Sequence, residues 1–231
     1  MLAKATESQA AYQGVRQRVT QLLRSRDEAA GSVVVPTCPD WTIKDVVAHL
    51  VGTGQDILNG NLDGVATDPW TNAQVERFAD ADLATVLAAW DDTGPQVEVI
   101  IPAFPQLPAA QLVFDVTTHE ADIRNALNAP GARTSKGVFV GLSFLLSNLD
   151  LAAYDGDWAP LEIRAGDSSW SIGGDRAEAT LVTEPFELFR AFGGRRSLGQ
   201  IRALAWSGDP EPYISVLDAS VLRPPSDPVI E

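Results

Sequence analysis

Residues 111–127, QLVFDVTTHEADIRNAL, constrain the fold more than any other stretch of the chain. At 3.6 residues per turn they place Leu112, Asp115, Val116, His119, Ile123, Ala126 and Leu127 on one narrow face. That face is apolar except at Asp115 and His119, which stand one turn apart and point the same way. A helix with such a stripe must bury it against neighbouring helices. A carboxylate on the buried side is costly unless something compensates it, and either a metal ion or a hydrogen-bonded histidine will serve.

The chain has two histidines, and the second, His49, lies in WTIKDVVAHLVGTGQDIL. Its helical face is Val46, His49, Leu50, Thr53 and Ile57, again mostly apolar. Both histidines and one aspartate therefore sit on inward stripes of two predicted helices. His49, Asp115 and His119 would make a three-ligand site with positions to spare, the usual arrangement for a catalytic divalent metal. The ordinary alternative is a pair of core histidines satisfied by hydrogen bonds.

The rest of the chain reads as helices, then a mixed segment. Residues 3–27 have helical periodicity, with Arg16, Arg18, Arg24 and Arg26 solvated or ion-paired. Two prolines make 32–41, SVVVPTCPDW, a connector. Thr42 is a helix N-cap with Asp45 three residues on in the reciprocal position. Asp45 also lies one turn before His49, where it could accept the imidazole N–H behind a metal, although capping is its more ordinary job. Cys38 reads as a buried, inert thiol rather than a reactive one. The second helix runs to about Asn59. Residues 60–72 are a loop that could form a lid or pocket wall, with Trp70 in the core or lining that pocket. A third helix covers 73–100, with a break near Asp80–Asp82 and a kink or break at Gly94-Pro95. Ala129-Pro130-Gly131 ends the central helix, and 136–153 form another apolar helix. After Tyr154 come strands at 161–165, 168–172 and 177–182, a Pro-led helix at 185–193, a strand at 201–206, a helix at 210–218 and a loose tail. The expected fold is mainly α: a helical bundle over 1–155 and a small α+β domain over 156–231, joined near Asp155-Gly156-Asp157.

Composition narrows the function. A net charge of −14 argues against nucleic acid and anionic membranes as partners. The single cysteine excludes an internal disulfide. The chain opens without a signal-peptide pattern and no uninterrupted apolar run reaches membrane-spanning length, so a cytoplasmic protein is expected.

The run PTCPDWTIKDVVAHL resembles the second-helix signature of the mycothiol-dependent maleylpyruvate isomerase family of actinobacteria, within the DinB/YfiT-like metalloprotein superfamily. Asp40 stands where that family usually has glycine. The family's later Glu–x–x–x–His–x–x–Asp run is similar to Asp115–Val–Thr–Thr–His119–Glu–Ala–Asp122, and ALNAPGAR to its Ala–Leu–Gly–x–Pro helix end. The stretch PFELFRAFGGRR resembles the family's small sterol-carrier-like domain, in which a Gly–Arg pair follows a short helix.

The resemblance implies a DinB-like four-helix bundle whose metal ligands are His49, Asp115 and His119, with zinc the expected ion. It implies mycothiol as a thiol cosubstrate and a small-molecule electrophile as substrate. An arginine facing the metal corresponds to Arg195, with Arg196 the ambiguous neighbour. Asp122 would stand behind His119 or on the helix surface. Aspartate at 115 is one methylene shorter than the family's glutamate, so the ion would sit closer to the central helix or bind through water. The implied activity is thiol transfer or cis–trans isomerisation by a metal-activated thiolate. A metal-dependent hydrolase on the same site and a non-catalytic metal-binding module are the competing readings.

Overall fold

The computed structural model describes residues 2–155 and 159–231. Helix α1 (Ala5–Arg24) leads through a 3-10 turn to a short hairpin, β1 (Val34–Val35) and β2 (Cys38–Thr42), inside the expected connector. Then come α2 (Ile43–Asn59), α3 (Asp68–Glu76), α4 (Leu83–Ile100), α5 (Gln106–Ala126) and α6 (Lys136–Asp155). Thr42 caps α2 as its sequence implies, its side chain accepting from the Asp45 amide while Asp45 accepts from the Thr42 amide. Gly60 ends α2 at φ 71°, a left-handed conformation that glycine adopts without strain.

Helices α1, α2, α4 and α5 pack as a four-helix bundle around Val15, Val19, Val46, Leu50, Trp90 and Val113. The central helix is buried more fully than its stripe requires: Thr117, Thr118 and Glu120 are buried as well. The reason is that α5 packs on α6 in addition to α1 and α2. Glu120 is compensated by Arg18 at 2.8 Å and Arg124 at 3.1 Å. Arg16 likewise pairs with Glu98 at 2.7 Å, and Arg24 with Asp91.

Two expectations for this half are corrected. The 60–72 loop gives way to α3 at Asp68, with Pro69 in its first turn. Trp70 is buried there, its indole N–H donating to the Asn61 carbonyl at 3.0 Å. Of the kink or break expected at Gly94-Pro95 the break does not occur: helix α4 continues through it, because proline removes only one intrahelical hydrogen bond and packing on α1 and α2 holds the helix.

Helix α6 joins the two cores. Val138, Leu142, Leu145 and Leu146 pack with Phe114 of α5 and with the apolar faces of the C-terminal elements. These are β3 (Leu161–Ala165), β4 (Ser168–Ile172), β5 (Ala179–Thr183), α7 (Pro185–Phe192), α8 (Leu198–Arg202), β6 (Ala205–Ser207) and α9 (Glu211–Ala219). The strand order is β4-β3-β5-β6, with β3 antiparallel to β4, parallel to β5, and β5 antiparallel to β6. The fold is thus mainly α with a C-terminal α+β part. Of the expected junction, Gly156 and Asp157 lie outside the described residues. The window Lys136–Ala153 of α6 has a mean hydropathy of 1.3, long and apolar enough by composition to cross a membrane, although no uninterrupted run does so; here it packs against α5, α1 and α7. The strand expected at 201–206 starts late, because Ser197 and Gln200 form a capping box that begins α8 first. The tail is not loose: the Gln200 side chain donates to the Val229 carbonyl at 2.8 Å and accepts from its amide at 3.0 Å.

Candidate metal centre

Helices α2 and α5 bring His49, Asp115 and His119 together, their ligating atoms within 4.8 Å of one another. Nε2 of His49 lies 3.4 Å from Asp115 Oδ2, and Nε2 of His119 lies 3.6 Å from Asp115 Oδ1. Both separations are longer than a good hydrogen bond. They match a shared ion instead: bonds of about 2.0–2.1 Å at the tetrahedral angle hold donor atoms about 3.3–3.4 Å apart. The histidine side chains are 7–8% exposed and that of Asp115 is 31% exposed, so the site opens to solvent on the aspartate side.

What lies behind His49 assigns its tautomer. Its Nδ1 is 2.8 Å from Oε1 of Gln74 on α3. The other end of that amide donates to Asp56 Oδ2 at 2.8 Å. Asp56 is held as a carboxylate by Gln74, Arg77 and Asn61, which outweigh its burial and keep its pKa low. An ionised carboxylate only accepts, so the Gln74 amino group must face Asp56 and its oxygen must face His49. Nδ1 therefore donates, and Nε2 presents a bare lone pair to Asp115. Thr53 donates to the same glutamine oxygen at 3.2 Å.

Behind His119 stands Asp122, with Oδ2 3.3 Å from Nδ1. The pair is off the ideal hydrogen-bond line, and no other acceptor among the described residues reaches that nitrogen. Asp122 is fully buried; burial alone would raise its pKa, yet Arg195 and Arg190 hold it well below the usual carboxylate range. On His49 the Nε2 lone pair facing the Asp115 carboxylate leaves acceptor against acceptor, which a cation between them would satisfy. Without one, a proton can substitute. Burial disfavours the charged form of His49, but the negative charge of Asp115, with the Gln74 hydrogen bond, raises its pKa above the usual value. In turn the charges of His49, His119 and Arg195 lower the Asp115 pKa against the effect of burial. The donor set therefore fits a divalent metal.

Arg195 comes from the C-terminal part. Its Nε and Nη2 donate to Asp122 at 3.0–3.2 Å, while Nη1 has only a long contact, 3.4 Å, to the Gly193 carbonyl. Gly194, at φ 71°, permits the approach; a Cβ there would lie 2.8 Å from the Leu222 carbonyl oxygen. Arg196 points elsewhere, to Glu187 at 2.7 Å and Glu231 at 3.2 Å. Cys38 of β2 is part-buried, with Sγ 3.7 Å from Arg195 Nη2, and burial pushes its thiol pKa up; its sulfur also lies within 4.8 Å of ligating atoms of His119 and Asp122.

Asp45 does not support His49. Its carboxylate accepts from the Thr42 amide at 2.9 Å and the Thr42 hydroxyl at 2.7 Å, turned toward the helix start, and Gln74 takes the place expected for it. Asp122 stands behind His119 rather than on the surface. The sequence reading missed Gln74, Asp56, Arg190 and Trp41. The Trp41 ring lies 5.3 Å from that of His49 and 6.2 Å from that of His119 and forms a wall of the site. Its place in the PTCPDWT run was the available signal; Gln74, in a stretch read as loop and helix start, offered none.

Fold and site together define a helical-bundle protein with a candidate metal centre and a C-terminal α+β part that supplies an arginine. Residues 12–134 match the mycothiol maleylpyruvate isomerase N-terminal domain, and the chain belongs to that family. Its fold is similar to two solved structures, the mycothiol-dependent maleylpyruvate isomerase (TM-score 0.56, 9% identity) and a mutant of it (TM-score 0.57, 10% identity). Each alignment covers 84% of this chain and 90% of the other. No curated protein matches the chain in sequence.

Proposed function

We propose that this protein is a divalent-metal-dependent enzyme that uses a low-molecular-weight thiol, mycothiol, to transfer to or isomerise a small electrophile. The carrying observation is that Nε2 of His49, Nε2 of His119 and the Asp115 carboxylate converge at one partly open point, with Arg195 paired to Asp122, the carboxylate behind His119. A divalent ion held by these three residues, with zinc the best fit to two imidazoles and a carboxylate, would stabilise a thiol as its thiolate near neutral pH.

The chain's own residues do the rest. Gln74 keeps the proton on His49 Nδ1, and the buried Asp122 carboxylate, 3.3 Å from His119 Nδ1, favours the same tautomer there, so that both Nε2 lone pairs aim inward. Trp41 walls the site against water on one side. In an isomerisation the thiolate sulfur bonds to one carbon of a conjugated double bond, and the π pair moves to the conjugated carbonyl oxygen. Arg195, whose planar guanidinium keeps hydrogens beyond those given to Asp122, neutralises that oxygen or a substrate carboxylate. Rotation about the new single bond follows. The electron pair then returns, the carbon–sulfur bond breaks, and the thiol is regenerated. In a transfer the carbon–sulfur bond is kept.

The test is turnover of maleylpyruvate, and of a panel of small electrophiles, by zinc-loaded protein with and without mycothiol. Thiol-dependent turnover that falls about 100-fold or more in Asp115→Ala is expected. Equal turnover without thiol would replace this reading with a water-activating hydrolase, and a metal-loaded protein with no turnover on the panel would leave a binding module.

A further inference from the structure

Among the described residues, Arg190 is the most deeply buried charge that the mechanism above does not use. It lies on α7, is 0% exposed, and reaches across to α5, where Nη2 donates to Asp122 Oδ1 at 2.6 Å and Nη1 to the Thr118 carbonyl at 3.3 Å. Two further donors go to the Glu231 side chain, Nε to Oε2 at 3.1 Å and Nη2 to Oε1. The Glu231 side chain is only 5% exposed and also accepts from Arg196 at 3.2 Å. Two residues earlier, the Val229 backbone is clamped in both directions by the Gln200 amide. The tail is thus laid down at two points, and its carboxylate sits inside the protein.

These contacts form one line. Glu231 holds Arg190, Arg190 holds Oδ1 of Asp122, and Oδ2 of Asp122 faces both His119 Nδ1 and Arg195. Next to the metal centre the charges balance: Arg190 and Arg195 against Asp122 and Glu231. Loss of Glu231 leaves a buried arginine with half its anionic partners, and an uncompensated buried charge is costly. Arg190 then has Asp122 as its sole remaining carboxylate, and that carboxylate becomes a poorer acceptor for the His119 N–H.

We propose that residues 229–231 are a strap that positions the metal centre, with Glu231 and Arg190 as positioning residues acting through Asp122 on His119 and Arg195. The proposal rests on the reading of His49, Asp115 and His119 as metal ligands. A merely structural tail would affect stability alone, so two readouts are needed that stability does not move. The first is zinc affinity by competition with a chromophoric chelator. The second is the 15N imidazole spectrum of the metal-free protein at one fixed pH.

In the full chain, Glu231→Gln is expected to weaken zinc binding about 3- to 10-fold, at or below the lower end of what loss of a direct partner of a ligand costs. It should also shift the His119 Nδ1 resonance while leaving that of His49, held by Gln74, in place. Glu231→Asp should recover part of both. Gln200→Ala frees the strap without removing a charge and should move both readouts the same way, so it is decisive if Glu231→Gln does not fold. Wild-type zinc affinity together with an unmoved His119 resonance in these variants would overturn the strap. If the wild type binds no zinc, the metal reading fails by itself, and the His119 resonance in Glu231→Gln still tests whether the tail reaches the site.

Discussion

Replacing Gln74 with leucine removes the group that assigns the His49 tautomer while keeping most of the side-chain volume. Gln74 is 0% exposed, so no water takes its place without repacking. Three contacts are lost at once: those with His49 Nδ1 at 2.8 Å, Thr53 Oγ1 at 3.2 Å and Asp56 Oδ2 at 2.8 Å. Asp56 keeps Arg77 and Asn61, and a hydroxyl can turn, so the main orphan is the imidazole N–H. A buried donor left unpaired costs about 1–3 kcal/mol, and the metal-free protein should lose about 2–4 kcal/mol in all. Metal affinity should fall further than stability explains, because His49 is free to turn or to carry its proton on Nε2. Loss of the group orienting a ligand costs about 10- to 100-fold, or roughly 1.4–2.7 kcal/mol of binding. The assay is zinc competition at a temperature where the variant is folded, with urea unfolding of the metal-free protein alongside. Zinc affinity within about twofold of wild type, beside a clear loss of stability, would refute the reasoning.

Other consequences follow from the same geometry. The raised pKa of His49 makes its contribution to the metal-free fold complete below its unfolded value of about 6.5, and that contribution is lost as pH rises through the higher folded value. Urea midpoints of chelator-treated protein should therefore decline across that window, less so in His49→Asn, and zinc should restore them; a midpoint that rises there contradicts the assignment. Arg195→Lys keeps the charge but loses the planar fork, so turnover should fall about 100-fold with metal content unchanged, as read by kinetics and elemental analysis of one sample. Gly52→Ala puts a Cβ 2.5 Å from that of Gln74, forcing α3 away from α2. It should cost about 1–3 kcal/mol in urea unfolding and weaken zinc binding, whereas a stable variant with intact affinity would show that α3 does not set the position of His49.

Much of the candidate site was legible because its three candidate ligands sit on periodic helices. Helical spacing alone puts Asp115 and His119 on one face and His49 on an inward stripe, and the bundle does the remaining work. The failures share a physical cause: the groups that orient those ligands come from elements distant in sequence. Gln74 lies on a helix that a run of turn-forming residues concealed, and Asp45, the local candidate, was already committed to capping Thr42. Arg190 sits in an amphipathic helix where an arginine reads as surface, and only the tertiary approach of α7 to α5 makes it a buried partner of Asp122. The tail looked loose because its anchor is a glutamine amide, which leaves no pattern in composition or periodicity. Pro95 misled for the opposite reason: its local preference was overridden by packing on both sides of it.

The most direct measurement is the metal content of the purified protein by elemental mass spectrometry, for wild type and for His119→Ala. Near one divalent ion per chain in the wild type, lost in the variant, is the expected result. A wild-type protein that holds no ion even after zinc is added back would contradict the assignment of His49, Asp115 and His119 as a metal centre.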